Sequence, residues 1–339
     1  MRFRGAALVP VLFAAAVAGC SGGSHPSAAA TPVPTATKRP TPSIRAQVIT
    51  PSPTPTPAAA TSSPAGPSCP PVHAGTSTRT LTVGGVQRSY LIAIPPQNGP
   101  RPVVIDFHGY QQSALQQDSY TGLSASGTRT GFVVLTPDGY RGQWNFVRRA
   151  AAGPDDVAFT EAMLADAATV ACLDPRHIGA TGMSDGADMA DTLGCALPGR
   201  ISAVVPVAPS VFPLAGCTAP VSYLEIHGTA DPIVPYSGGG GDRPPPFQGT
   251  EAQAAAARLV RWAQLDGCGS GSTHALVAGV TVTEASCPIG RQVQLISVDG
   301  GGHTWPSAVG PPPVAGLGAT TTAISADLLV LQFLAAHHT

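Results

Sequence analysis

The stretch "ATGMSDGADMA", residues 180–190, sets one serine, Ser184, between two glycines, Gly182 and Gly186. It continues the apolar run "RHIGATGMS" and leads into "GADMADTLGCA", whose composition suits a helix. The order is strand, tight turn, helix. Two readings of the glycines compete. Either they punctuate the junction, or they clear space two positions before and two after a serine held in a crowded turn. In the second case the N–H groups of the next helix face a developing negative charge.

Outward from this turn the same alternation repeats. "STRTLTVGGVQRSYLIAIPP" reads as a hairpin about Gly84 and Gly85. "PVVIDFHGY" and "GFVVLTPDGY" are continuous apolar runs ending in loops, as buried parallel strands are, with a helix over 112–129 between them. "DDVAFTEAMLADAATVACLD" opens on acidic residues suited to a helix N-terminus. "ISAVVPVAPS" and "VSYLEIHGTADP" are strands, "EAQAAAARLVRWAQL" a helix, "RQVQLISVDGGGHTWP" a strand with its loop, and "TTTAISADLLVLQFLAAH" a closing helix. Strands alternating with helices of this length make an α/β fold, with a mostly parallel sheet and helices on both faces.

In such a sheet, reactive groups gather in loops at the C-terminal strand ends. A serine hydroxyl needs a base, and the base needs an orienting carboxylate. Asp231, in the loop after "VSYLEIHG", lies downstream of Ser184; its bland reading is a turn former before Pro232. Asp185, Asp188, Asp191, Asp242, Asp266 and Asp299 compete with it, the first two lying on the nucleophile's own turn or helix. Of nine histidines, His303 alone follows both the serine and the aspartate on a glycine-rich loop after a late strand, where three glycines let the imidazole swing over Ser184. Its bland reading is an exposed loop histidine. His108 and His227 end strands and are expected to brace loops. Ser…Asp…His is the chain order of α/β-hydrolases. Acyl transfer also needs donors for the oxyanion, expected to be the backbone N–H groups of Asp185 and of Tyr110 in "DFHGY".

The four blocks together, "HG" after a strand, "GMSDGADMA", "EIHGTADPIVPY" and "GGGHTWP", resemble the secreted polyhydroxybutyrate depolymerase and feruloyl esterase group of α/β-hydrolases. The resemblance spans about residues 75–338. It implies Ser184 as nucleophile, Asp231 as acid and His303 as base. It also matches Trp144 and Trp305 to aromatic positions that flank the substrate, ordinary packing being the alternative. Asp185 and Ala187 depart from the Asn and Gly frequent around the family's serine, and an acid beside the nucleophile is expected to narrow the acyl group.

Outside the globular text, "MRFRGAALVPVLFAAAVAGC" has two arginines, an apolar stretch and small residues ending at Cys20, the layout of a secretory signal over 1–20. Its "VAGC" resembles the lipobox of bacterial lipoproteins, which implies lipidation of Cys20; an ordinary cleaved signal is the alternative. Residues 21–68, rich in Pro, Thr, Ala and Ser, lack apolar periodicity and read as an extended tether or a passive tail. Residues 69–339 then form one domain. Setting Cys20 aside leaves six cysteines, for which loop economy favours Cys195–Cys217 and Cys268–Cys287, leaving Cys69–Cys172. No metal-ligand spacing is evident, and the chemistry calls for no cofactor. A net charge of −1 offers nucleic acid no basic stripe.

These features point to a lipid-anchored serine esterase acting outside the cytoplasm on a small or polymeric ester. The rivals are an envelope acyltransferase with the same triad, a peptidase of the same fold, and a non-enzymatic binding relative. The stretch "SGGGGDRPPPFQG", residues 237–249, either covers the site or is a disordered insertion. Oligomeric state is not legible.

Overall fold

The apolar runs of the sequence become the middle of one ten-stranded sheet. The computed structural model describes residues 69–148, 153–212, 217–218, 220–242 and 247–339. The expected signal segment with Cys20 and the expected tether lie outside the described residues. The described residues all fall within one unit, Ser63–Thr339.

In chain order the strands are β1 (Gly75–Val83), β2 (Val86–Ile94), β3 (Arg101–Phe107), β4 (Val133–Pro137), β5 (Leu173–Met183), β6 (Ala203–Val207), β7 (Ser222–Gly228), β8 (Gly269–Val277), β9 (Val280–Ser286) and β10 (Val293–Val298). Their spatial order is β1-β2-β4-β3-β5-β6-β7-β10-β9-β8. The six from β4 to β10 run parallel, and antiparallel pairs close both ends. Strands β6 and β7 are buried along their whole length, because both faces are covered.

The helices are α1 (Ala114–Thr121), α2 (Leu123–Arg129), α3 (Asp156–Ala167), α4 (Asp185–Ala196), α5 (Ala255–Leu265) and α6 (Ala326–Ala336). Side chains alternate across the sheet with period two. Ile105, Val204 and Leu295 join a core with Phe159 and Met163 of α3, Leu193 of α4 and Trp262 of α5. Their neighbours Val104, Val205 and Ile296 join a second core with Leu123 of α2 and Leu331 and Leu334 of α6. This is the α/β-hydrolase architecture, with helices on both faces of a mostly parallel sheet.

Two elements differ from the sequence reading. The single helix expected over 112–129 is two, because Gly122 takes the left-handed region (φ 78°) and donates its N–H to Asp118 O, ending α1 before α2 begins. The hairpin β8–β9 carries no element in that reading; β8 is exposed at every position and rich in glycine and serine, so its sequence shows no buried face. The pairs Cys69–Cys172, Cys195–Cys217 and Cys268–Cys287 form the disulfides, the connectivity that loop economy favours. Among the described residues no helix is long and apolar enough to cross a membrane.

Candidate active site

Ser184 sits between β5 and α4 with φ 59° and ψ −120°, a conformation that L residues rarely adopt. Its N–H donates to Val207 O at 3.0 Å, and its carbonyl accepts the Asp188 N–H at 3.0 Å, so the turn is held at both ends. The two glycines are required by close backbone approach. A Cβ on Gly186 would lie 2.1 Å from Phe107 O, and one on Gly182 would lie 2.6 Å from the same oxygen. Ser184 is half-buried while its neighbours are buried.

Asp231 and His303 come from the loops after β7 and β10, which are parallel neighbours, so their C-terminal loops lie side by side. His303 Nδ1 donates to Asp231 Oδ2 at 2.7 Å. Asp231 Oδ1 meanwhile accepts the N–H groups of Ile233 at 2.9 Å and Val234 at 2.8 Å. Asp231 is thus the turn former and the histidine's partner at once, one oxygen for each. Burial alone would raise its carboxyl, but the His227 and His303 imidazoles at Oδ2 outweigh that and hold it well below the usual carboxylate range.

The glycines before His303 restrain it instead of letting it swing. A Cβ on Gly302 would lie 2.1 Å from Leu317 O, and one on Gly228 would lie 2.2 Å from Gly301 O. Three chain segments therefore pack backbone to backbone, and the His303 N–H donates to Leu317 O at 2.6 Å.

Ser184 and His303 line one cavity of about 380 Å³. Gly109, Tyr110 and Asp185, the expected oxyanion region, share its wall. His108 fixes that region. Its Nε2 accepts the Gly139 N–H at 2.9 Å, so the proton is on Nδ1, which donates to Gly109 O at 2.7 Å. Burial pushes this imidazole down to about 4, which keeps it neutral. Asp185 Oδ2 accepts the Trp144 N–H at 3.1 Å, so the acid beside the serine ties down the neighbouring loop.

The two tryptophans matched to substrate-flanking positions lie outside the cavity wall. Trp144 packs edge-on against Phe107 at 4.9 Å and donates Nε1–H to His108 O at 2.8 Å. Trp305 is fully buried and donates Nε1–H to Asp327 Oδ1 at 2.8 Å. Each indole N–H finds a buried acceptor on the protein side, and both rings serve as packing. The apolar wall comes instead from Met183, Ile233, Val234, Phe247, Val314 and Leu317. The Phe247 ring meets Tyr110 edge-on at 5.1 Å. Phe247 and Asp242 bring the 237–249 stretch to the cavity wall; residues 243–246 lie outside the described residues. Sequence reading missed Phe247, Val314 and Leu317. The one signal was an isolated apolar residue after each of two triple-proline runs, "PPPF" and "PPPV".

No family model matches the chain. It is 29% identical over 290 residues to a protein named esterase NocK of Nocardia uniformis subsp. tsuyamanensis, covering 78% of this chain and 84% of that one. It is 31% identical over 219 residues to feruloyl esterase B of Piromyces equi, covering 60% of this chain but only 39% of that one. Feruloyl esterase C of Emericella nidulans matches at 30% identity over 189 residues, covering 50% of this chain and 67% of that one. Among solved structures, acetyl xylan esterase from Aspergillus awamori superposes with a TM-score of 0.51 at 15% identity, over 76% of this chain and 99% of that one, a likeness of fold alone. With the serine turn, the aspartate–histidine pair and these relatives in hand, the chain belongs to the feruloyl esterase group of α/β-hydrolases, a family of carboxylic ester hydrolases.

Proposed function

We propose that this protein is a serine esterase that cleaves carboxylic esters through an acyl-enzyme. The observation that carries this reading is the 2.7 Å bond from His303 to Asp231, His303 lining one cavity with the strained Ser184. Because Nδ1 is committed to Asp231, Nε2 of His303 is the nitrogen that takes the Ser184 proton. Ser184 Oγ attacks the ester carbonyl, and the alcohol leaves with that proton. Water then attacks the acyl-enzyme with Nε2 again as base, and the acid departs.

The Asp185 and Tyr110 N–H groups are the oxyanion donors in this reading. In the loop after β3, Gln111 N–H is already donated to Gly142 O and Gln112 N–H to Gly109 O, which supports Tyr110 as the donor there. A largely apolar wall with Phe247 and Leu317 suits an aromatic acyl group, as in the relatives named feruloyl esterases. Three disulfides favour an oxidising compartment, and with the "VAGC" ending at Cys20 they support a lipid-anchored protein outside the cytoplasm.

The test is covalent labelling with a fluorophosphonate followed by peptide mapping, alongside hydrolysis of methyl ferulate and p-nitrophenyl acetate. Label on Ser184 with faster turnover of the ferulate supports the whole reading. Label on another residue, or none on a folded protein, sinks it.

A further inference from the structure

Next to Asp231 lies a buried cluster of charged side chains, none of them lining the cavity, that the triad chemistry leaves unused. His227, at the end of β7, is fully enclosed. Its Nδ1 faces Glu225 Oε1 at 2.9 Å, and its Nε2 faces Val234 O at 2.9 Å. A carbonyl oxygen can only accept, and so can a carboxylate. Both ring nitrogens therefore carry protons. The Nε2 edge also lies 3.4 Å from Asp231 Oδ2, an ion-pair distance.

Arg258 of α5 completes the set. Its Nε donates to Glu225 Oε2 at 3.1 Å and its Nη2 to Glu225 Oε1. Nη2 comes within 3.0 Å of His227 Nδ1 because both converge on that same oxygen. A neutral His227 accepting from Arg258 would set its lone pair against Glu225 Oε1 at 2.9 Å. Charge decides between the two arrangements. Glu225 and Asp231 are two buried anions against the one cation of Arg258, and an imidazolium at His227 makes the four neutral.

The remaining groups around the ring are consistent with this. Tyr236 stands edge-on to His227 at 5.7 Å with its hydroxyl bonded to Ser297. Tyr223 donates to Glu225 Oε2 at 2.7 Å. On α4, burial raises Asp191, and the nearby Asp188 and Glu225 raise it further. Burial also raises Asp188, whose carboxylate accepts from Ser210 and Val211. His303 meets the same Asp231 oxygen, Oδ2, at 2.7 Å.

We propose that His227 is a positioning residue of this active site: a permanent imidazolium between Glu225 and Asp231 that fixes the carboxylate facing His303 and sets the acid limit of turnover. The inference rests on the triad reading above. A fixed positive charge at Asp231 Oδ2 favours the carboxylate that His303 meets, so removing it leaves that carboxylate easier to protonate. The groups run in the order Arg258, Glu225, His227, Asp231, His303.

Two measurements test it on the full chain. In ¹⁵N-histidine spectra of the native protein, one imidazole should keep both nitrogens protonated without titrating up to pH 8.5. If every histidine becomes neutral below pH 8, the proposal fails. The second measurement is the pH profile of kcat/KM for His227→Gln, which keeps a donor toward Val234 O and removes the charge. Its acid limb should move up by about one pH unit. A lower kcat with an unmoved acid limb would reduce His227 to packing and overturn the proposal. Fluorophosphonate labelling of Ser184 in the same variant separates this failure from failure of the triad reading. Label retained on Ser184 leaves the triad standing whichever way the limb behaves.

Discussion

At Gly186 even a methyl group would press to 2.1 Å from the Phe107 carbonyl oxygen and 2.5 Å from that of His108. Both contacts are backbone atoms of the strand end that carries the expected oxyanion region, so neither can rotate away. Gly186→Ala must therefore push β3 and α4 apart. Overpacking of this kind costs about 1–3 kcal/mol, and thermal denaturation should show a clear fall in Tm together with loss of esterase rate. An alanine variant with native Tm and rate would mean the turn is less crowded than described. Asp231 teaches a different lesson. Its turn-forming bonds and its bond to His303 coexist, because a carboxylate has two oxygens. The placement of Ser184, Asp231 and His303 in loops after strands was legible, because each follows an apolar or half-apolar run that ends in glycine-rich text. The inward acceptors of Trp144 and Trp305 were not legible, since sequence shows the residue but not which side of the loop holds an acceptor for its indole N–H.

Elements were legible where burial left a period. The fully buried β6 announces itself as an unbroken apolar run, and α6 as a helical one, while β7 is buried although it carries Glu225 and His227. The β8–β9 hairpin lies at the sheet's edge with little to bury, so composition alone gave no sign of it. Covalent closure supplies what packing does not: Cys268–Cys287 ties the base of that hairpin across a separation of 19 residues, whereas Cys69–Cys172 closes 103. Chain entropy gives about 3 kcal/mol for the short loop and about 4.7 kcal/mol for the long one. Urea unfolding of the paired variants Cys69→Ser/Cys172→Ser and Cys268→Ser/Cys287→Ser should rank them in that order. A greater loss from the hairpin pair would show that the bridge holds folded geometry instead of restricting the unfolded chain. The apolar cavity wall lay beyond sequence reading for a related reason. Phe247 and Val314 follow proline runs in loops, where no periodicity points them inward.

Across the whole molecule, the parallel sheet sets Ser184, Asp231 and His303 in loops at the C-terminal ends of its strands and buries ionisable groups along it. Asp106 on β3 is the clearest case outside the site. It accepts from Gln117 Nε2 at 2.8 Å, yet burial pushes its carboxyl from 3.8 up to about 8. An acid raised on folding favours the folded state only while protonated. Its stability cost is therefore absent below pH 3.8, grows as pH rises from there, and levels off above pH 8. Asp106→Asn should flatten this decline, with a larger gain in Tm at pH 8 than at pH 5. Equal changes at both pH values would contradict the assignment. The esterase reading stands or falls at one atom, Ser184 Oγ. The decisive experiment compares p-nitrophenyl acetate and methyl ferulate hydrolysis by the native protein and by Ser184→Ala, with circular dichroism to confirm that both are folded. Loss of turnover by a factor of about 10⁴ to 10⁶ is the expected result. A folded Ser184→Ala protein that hydrolyses both esters at the native rate would contradict the nucleophile, the acyl-enzyme and the role given to His303 together.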